Sequence, residues 1–228
     1  MFQRGYTLGA QADQVRDDII ARIHARGLRP GQRIDEDEIR SRLGLSGTPI
    51  REAIIALEAL GLVERRPRAG VYVKALDLAG VVQLLEAHAE AEGALAYRAA
   101  RRANPAQIAR LEAALAACER FPASAENGAD YYDLNLAFHE ALFACAGNAY
   151  LAQTALRSGT ILLGYLHARH CLPGEPERSA TEHRRIFQAV VAGNAADARR
   201  LMIDHVMMKD EQILDVMNHV QGGSGQAG

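Results

Sequence analysis

Three short segments near the start of the chain repeat apolar residues at the spacing of an amphipathic helix. A glycine turn closes each segment, at Gly27, Gly44 and Gly61. Because apolar residues every three or four positions are typical of a half-buried helix, we predict three helices here. In chain order, the apolar stripes are Val15, Ile19, Ile20 and Ile23; Ile39 and Leu43; and Ala53, Ile54, Leu57 and Leu60.

Two strand-like segments follow the third helix. They cover residues 62–66 and 71–73, and the turn Pro67-Arg68-Ala69-Gly70 lies between them. Three helices followed by a basic hairpin are the element order of a winged helix-turn-helix. We therefore predict a DNA-binding domain over residues 1–76.

The start of the third helix carries side chains suited to DNA. Thr48 can cap the free backbone N–H groups, and Pro49 fits the first turn because its missing donor costs nothing there. Arg51 then lies on the exposed first turn. Since recognition helices present groove-facing and phosphate-binding side chains at this end, we expect Thr48 and Arg51 to face DNA.

The rest of the chain has a helical pattern without strand-like alternation. Ala-rich amphipathic segments predict six helices near residues 77–102, 105–120, 129–146, 148–168, 177–192 and 195–217. Short loops favour an antiparallel bundle over residues 77–219, and the Gly/Ser/Gln-rich residues 220–228 predict a disordered tail. The expected fold class is mainly α: a winged helix-turn-helix followed by an all-helical antiparallel bundle.

The net charge of −2 conceals an asymmetry along the chain. Residues 1–76 hold 13 Lys and Arg against 10 Asp and Glu, or +3, and the remainder holds 13 against 18, or −5. A basic N-terminal part followed by an acidic remainder suits phosphate contact through one end of the molecule. Arg65, Arg66 and Arg68 lie on the predicted wing, where each could neutralise a phosphate; the alternative is an ordinary solvated turn.

The cysteines and the hydropathy of the chain indicate the cellular compartment in which it works. Cys118, Cys145 and Cys171 are odd in number and lack metal-ligand spacing. We find no signal-peptide pattern and no apolar run near roughly 18 residues. We therefore expect reduced thiols in a cytoplasmic protein without a membrane partner.

Three histidines of the second half could meet in the core of the bundle. His139 lies one helical turn after Asn135, and His183 and His205 lie on the last two predicted helices. Bundles build metal sites from side chains on several helices, and three imidazoles with one oxygen suit Zn, Ni, Fe or Mn. Gaps of 44 and 22 residues leave their convergence open. Ordinary core histidines are the alternative.

Residues 11–73 resemble the DNA-binding domain of GntR-family transcriptional regulators. The shared segments are Pro30-Gly31, Leu43-Gly44-Leu45-Ser46, Thr48-Pro49-Ile50-Arg51-Glu52-Ala53, Gly61-Leu62-Val63 and Gly70-Val71-Tyr72-Val73. The resemblance implies DNA contact through Ser46, Thr48, Pro49, Arg51, Arg65, Arg66, Arg68 and Gly70. Gly47 stands where the family usually has an Arg, so one DNA anchor is missing.

Residues 77–219 resemble the ligand-binding FCD domain of the FadR-type subgroup of the same family. Its motifs appear as Asn135-Leu136-Ala137-Phe138-His139, Gly147-Asn148, Glu182-His183 and His205. The resemblance implies a divalent metal at Asn135, His139, His183 and His205, with a small carboxylate effector on its open positions.

Two positions depart from the FCD pattern. Asn135 replaces an Asp, and an amide oxygen brings no negative charge to a hard cation. The segment Glu86-x-His88-x-x-x-Glu92 has His88 where the family often has an Arg that binds effector carboxylates. His88 is therefore the candidate effector contact, although imidazole is a weaker clamp than guanidinium.

Together these features predict a ligand-responsive transcriptional regulator rather than an enzyme. A homodimer would present two winged helices to a pseudo-palindromic duplex operator. Repression relieved by the effector is the commoner mode in the family, and the sequence leaves the sign and the effector open. Two alternatives remain: a metal-dependent enzyme with Glu182 as its only candidate base, and a metal-free DNA-binding dimer.

Overall fold

The computed structural model describes residues 9–25, 27–122 and 128–222, which divide after Asp77 into two compact units. In its described part, the first unit runs α1 (Ala10–His24), β1 (Arg33–Ile34), α2 (Glu36–Leu43), α3 (Gly47–Leu60), β2 (Val63–Arg66) and β3 (Gly70–Val73). This order is a winged helix-turn-helix, as the hydrophobic pattern predicted.

The apolar stripes of the first unit form its core. Ile19, Ile54 and Leu57 are fully buried, and α1 packs against α3. Ile20 and Leu60 lie at the margin of the stripes and are half-buried. The helical periodicity therefore identified which face of each helix turns inward.

The two helices of the helix-turn-helix begin in different ways. Asp35 caps α2, because its carboxylate accepts from the backbone N–H groups of Asp37 and Glu38, both at 3.0 Å. In α3 the N-cap position is Ser46, which makes no side-chain cap bond. The prediction that Thr48 caps this helix is wrong: the helix already starts at Gly47, so Thr48 lies inside the first turn.

The wing is an antiparallel sheet with strand order β1-β3-β2. Ile34 of β1 pairs with Val71 of β3, and Val63 of β2 pairs with Val73. The sequence did not predict β1, because two residues are too few to produce a recognisable alternation.

The second unit is a helical bundle. Within the described residues its helices are α4 (Leu78–Arg102), α5 (Pro105–Glu119), α6 (Gly128–Ala146), α7 (Ala149–His170), α8 (Glu175–Val191), α9 (Ala195–Val206) and α10 (Asp210–Gly222). Five of these match predicted helices closely. The predicted helix 195–217 is instead two helices, and residues 220–222 of the predicted tail belong to α10. Residues 223–228 lie outside the described part of the chain.

A buried arginine explains why α9 stops where it does. Arg169 donates to the backbone oxygens of His205 at 2.7 Å and Val206 at 3.1 Å. These carbonyls would otherwise lack partners at the helix end. Met207 then adopts extended backbone angles, and Ile213 of the following helix is buried as α10 packs against α7.

The long helix α4 lies at the centre of the bundle, where it contacts α6, α7, α8 and α9. Its Gly93 allows α9 to approach closely, because a Cβ at this position would lie 2.7 Å from Cγ1 of Ile203. The arrangement brings side chains of α4, α6, α8 and α9 into one buried region. No helix in the described ranges is both long and apolar enough to cross a membrane.

Candidate functional site

The exposed start of α3 presents a small set of polar side chains. Ser46, Thr48 and Arg51 are all exposed there. Pro49 is buried, so in this unit it packs within the fold. An arginine and two hydroxyls on an open helix N-terminus can donate to DNA phosphates and base edges.

The wing carries the three arginines that the sequence singled out, and all are exposed. Arg65 pairs with Glu58 at 3.3 Å, and Arg66 pairs with Glu64 at 2.8 Å. Arg66 also lies over the ring of Tyr72, 4.2 Å from its centroid. Exposed ion pairs of this kind are weak, so these guanidinium groups can exchange their glutamates for phosphates.

The tip of the wing is shaped by two residues with positive φ. Arg68 has a φ of 63° and Gly70 a φ of 107°. A Cβ at Gly70 would lie 3.2 Å from Nε of Arg33, so a side chain there would crowd the neighbouring strand. Gly70 is therefore required by the backbone conformation and close packing of the hairpin.

Three buried histidines converge in the second unit, one each from α6, α8 and α9. The Nε2 atom of His205 lies 3.3 Å from that of His139 and 3.1 Å from that of His183. One ligand atom from each ring fits within 4.8 Å of the others. The ring of Phe138 stacks on His183 with centroids 3.9 Å apart and fixes its plane.

Carboxylates hold the far side of two of these rings. Nδ1 of His139 donates to Oε2 of Glu92 at 2.5 Å, and Nδ1 of His205 donates to Oε2 of Glu182 at 2.8 Å. With their protons on Nδ1, both rings direct an Nε2 lone pair inward. A proton on His183 Nε2 could serve only one of the two Nε2–Nε2 contacts, whereas a cation could bind all three nitrogen atoms.

Burial favours the neutral form of two histidines in the cluster. It lowers the pKa of His205 to about 4, although the hydrogen bond that His205 donates to Glu182 favours the charged form. Burial, together with the neighbouring histidines, also lowers the pKa of His183 well below its usual value. Both imidazoles are therefore neutral near pH 7, which is the form that binds metals.

Asn135 lies one turn before His139 on α6 and is also buried. Its Oδ1 accepts a hydrogen bond from Oγ of Ser179 at 3.3 Å. An amide oxygen has two lone pairs, so this bond leaves one for a cation.

His88 is buried in α4, and both of its ring nitrogens have protein partners. Nδ1 lies 2.9 Å from Oγ of Ser158, and Nε2 lies 3.1 Å from Oε1 of Glu92. An effector carboxylate would have to displace one of these partners. Contact between His88 and the effector stays a prediction.

The sequence did not identify the carboxylates that orient the histidines. In the sequence, Glu182 is a candidate base next to His183, but adjacent helical residues diverge by about 100°. That divergence is why Glu182 contacts His205 on α9 and not its neighbour His183. Glu92 stands four residues after His88, and this spacing was the available signal that the two share a helical face.

Both units match known protein families. Residues 11–73 match the model of the gntR family of bacterial regulatory proteins, and residues 83–207 match the model of the FCD domain.

Named relatives extend over most of the chain. The HTH-type transcriptional regulator LutR of Bacillus subtilis (strain 168) is 30% identical over 202 residues, which cover 78% of this chain and 90% of that protein. The HTH-type transcriptional repressor RspR of Escherichia coli (strain K12) is 28% identical over 189 residues, which cover 82% of each chain.

Solved structures share the fold. E. coli McbR/YncC matches with a TM-score of 0.76 and 18% identity, over 92% of this chain and 99% of that one. A putative GntR regulator from Rhodococcus sp. RHA1 matches with a TM-score of 0.71 and 21% identity over the same shares.

The curated relatives and the gntR family are regulators of transcription and not enzymes, as the sequence predicted. The chain is a DNA-binding transcriptional regulator, and it belongs to the gntR family of bacterial regulatory proteins with an FCD domain as its helical unit.

Proposed function

We propose that the helical unit binds a divalent metal and a small carboxylate, and that this binding controls repression by a DNA-bound homodimer. The observation that carries the proposal is the meeting of three Nε2 atoms, from His139, His183 and His205, inside a buried region. Two of the three rings are held by carboxylates on their outer nitrogens, as is usual for histidines that bind metal.

The proposed metal ligands are the three imidazoles and the amide oxygen of Asn135. This donor set suits Zn, Ni, Fe or Mn and brings no charge of its own. A bound divalent ion would supply open coordination positions and uncompensated positive charge. Glu92 and Glu182 lie behind His139 and His205 and would offset part of that charge while holding the rings in place.

The proposed effector is a small organic acid. Neutral ligands around a dication favour an anion on the open positions, and a carboxylate is the anion that a hard or borderline ion accepts readily. The buried arginine nearby, Arg169, is already bound to Glu175 and to backbone oxygens of α9. The metal is therefore the main binding group for the acid.

DNA contact is proposed for Ser46, Thr48 and Arg51 at the start of α3, and for the wing. Arg65, Arg66 and Arg68 would neutralise phosphates there, and two copies in a homodimer would contact the two halves of an operator. Repression is favoured by the relative RspR, which is named a repressor.

Metal analysis tests the proposal. Protein purified without a histidine tag, stripped of metal and titrated with Zn²⁺ or Ni²⁺, is expected to bind one ion per chain and to melt at a higher temperature. His183→Ala should lose both effects, whereas His219→Ala, in the exposed part of α10, should keep them. A wild-type chain that binds no ion would favour a metal-free regulator.

A further inference from the structure

The side chain of His88 is almost completely buried. It is only 5% exposed, and its two ring nitrogens are engaged by Ser158 on α7 and Glu92 on α4. An effector carboxylate that bound this ring would have to break one of these two contacts, and displacing Glu92 would place two carboxylates side by side in a buried region, which is costly.

Glu92 connects His88 to the histidine cluster. It is 3% exposed, and each of its carboxylate oxygens contacts a different ring. Oε1 lies 3.1 Å from Nε2 of His88, and Oε2 lies 2.5 Å from Nδ1 of His139. Contacts at both oxygens restrain the rotation of the carboxylate, so the contact with His88 helps to hold the oxygen that accepts from His139.

The neighbouring helix leaves space for the ring of His88. Gly159 follows Ser158 in the middle of α7, where a glycine is intrinsically less favourable in a helix than alanine. A Cβ at Gly159 would lie 3.2 Å from Cε1 of His88 and 3.6 Å from its Nε2. The backbone of α7 therefore packs directly against the imidazole.

We infer that His88 is a positioning residue for the metal ligand His139, acting through Glu92, and not a contact for the effector. The expected effect on metal affinity rests on the metal site proposed above. The structural part of the inference, the orientation of His139, holds in the metal-free protein as well.

The tautomer of His139 provides the metal-free test. Long-range ¹H–¹⁵N spectra of the stripped, full-length protein should show the proton of His139 on Nδ1. His88→Ala should convert this signal to a mixture of tautomers, because the released Glu92 no longer holds one position. His88→Gln, which keeps an N–H donor, should restore most of the Nδ1–H form. An unchanged His139 signal in His88→Ala would overturn the inference.

Zn²⁺ competition with a chelating indicator provides the second test. His88→Ala and Glu92→Gln should each weaken Zn²⁺ binding roughly 10- to 100-fold, which is the usual effect of removing a group that orients a metal ligand. The double variant should bind no more weakly than Glu92→Gln alone, because His88 acts through Glu92. Additive losses, or unchanged affinity in His88→Ala, would overturn the inference.

A third variant avoids removing any polar group. Gly159→Ala should favour the helix intrinsically but displace the ring of His88, so Zn²⁺ affinity should fall while the chain stays folded. Unchanged affinity would count against the inference. If the wild-type chain binds no Zn²⁺, the proposed metal function fails, and the tautomer of His139 alone decides the role of His88.

Discussion

Arg51 is expected to contact a DNA phosphate. It is exposed on the first turn of α3. Arg51→Ala should weaken binding to a selected duplex at all sequences and reduce the salt slope by about one unit, because a phosphate contact is lost. Fluorescence anisotropy at several salt concentrations measures both. Arg110→Ala, an exposed arginine of α5, is the matched control and should bind like wild type. Unchanged binding by the Arg51 variant would remove this residue from the interface.

His170 is expected to make the metal-free protein less stable in acid. Burial, and then the charge of Arg169, lowers the pKa of His170 well below its usual value. Below about pH 6.5 the unfolded chain takes up a proton that the folded ring refuses, so the free energy of unfolding falls as the pH falls. Tyr131 and Tyr132 pack against this ring.

Urea unfolding in EDTA at about pH 7.5 and about pH 5.5 tests this contribution. His170→Phe keeps an aromatic ring but cannot titrate, so its midpoint should change less between the two conditions than that of the wild type. His183 and His205 also have lowered pKa values, so part of the change should persist. Equal changes in both proteins would contradict the prediction for His170.

At the scale of helices and strands, hydrophobic periodicity predicted the elements whose burial is repeated over several turns. Helices α1 and α3 are examples, since each has a regular apolar face. The break between α9 and α10 was not predictable, because the group that binds the last carbonyls of α9 is Arg169, 36 residues before His205. The same limit applies to the site: the contact between Glu92 and His139 spans 47 residues. Sequence spacing identified the histidines but could not show that they meet.

Arg169 is expected to stabilise the junction between α9 and α10. It is buried, and it binds Glu175 as well as the two backbone oxygens. Arg169→Gln should lower the free energy of unfolding by about 1–3 kcal/mol, because it removes the donor to two backbone oxygens at the end of α9, while Glu175 keeps Arg178. Arg178→Gln is a useful control, since Arg178 binds the same glutamate but is about one-third exposed. Its loss, measured by urea unfolding, should be smaller. Equal losses would contradict the structural role given to Arg169.

For the whole molecule, we expect a dimer. Two chains of 24.7 kDa should sediment together at micromolar concentration, with and without metal. Footprinting on a selected operator should show two protected half-sites, in keeping with twofold symmetry. A sedimentation profile of monomers only, with a single protected half-site, would contradict this part of the account.

The distribution of charge along the chain agrees with DNA binding by the first unit and effector binding by the second. The excess of positive charge lies in the winged unit, and the excess of negative charge lies in the bundle. An effector can change DNA binding only by its difference in affinity between the DNA-competent and DNA-incompetent states of the dimer. The predicted linkage is reciprocal, so DNA should also change the affinity for the effector.

The most direct test is the response of DNA binding to the metal site. Duplexes selected from a random pool are titrated with metal-stripped and metal-loaded protein, each in the presence of a panel of small organic acids, and binding is followed by anisotropy. We predict salt-dependent DNA binding by the wild type, and at least one acid that weakens this binding only in the metal-loaded protein. The variant lacking His139 and His183 should bind DNA but not respond to that acid. DNA affinity that is the same with and without metal, for every acid and for both proteins, would contradict the account.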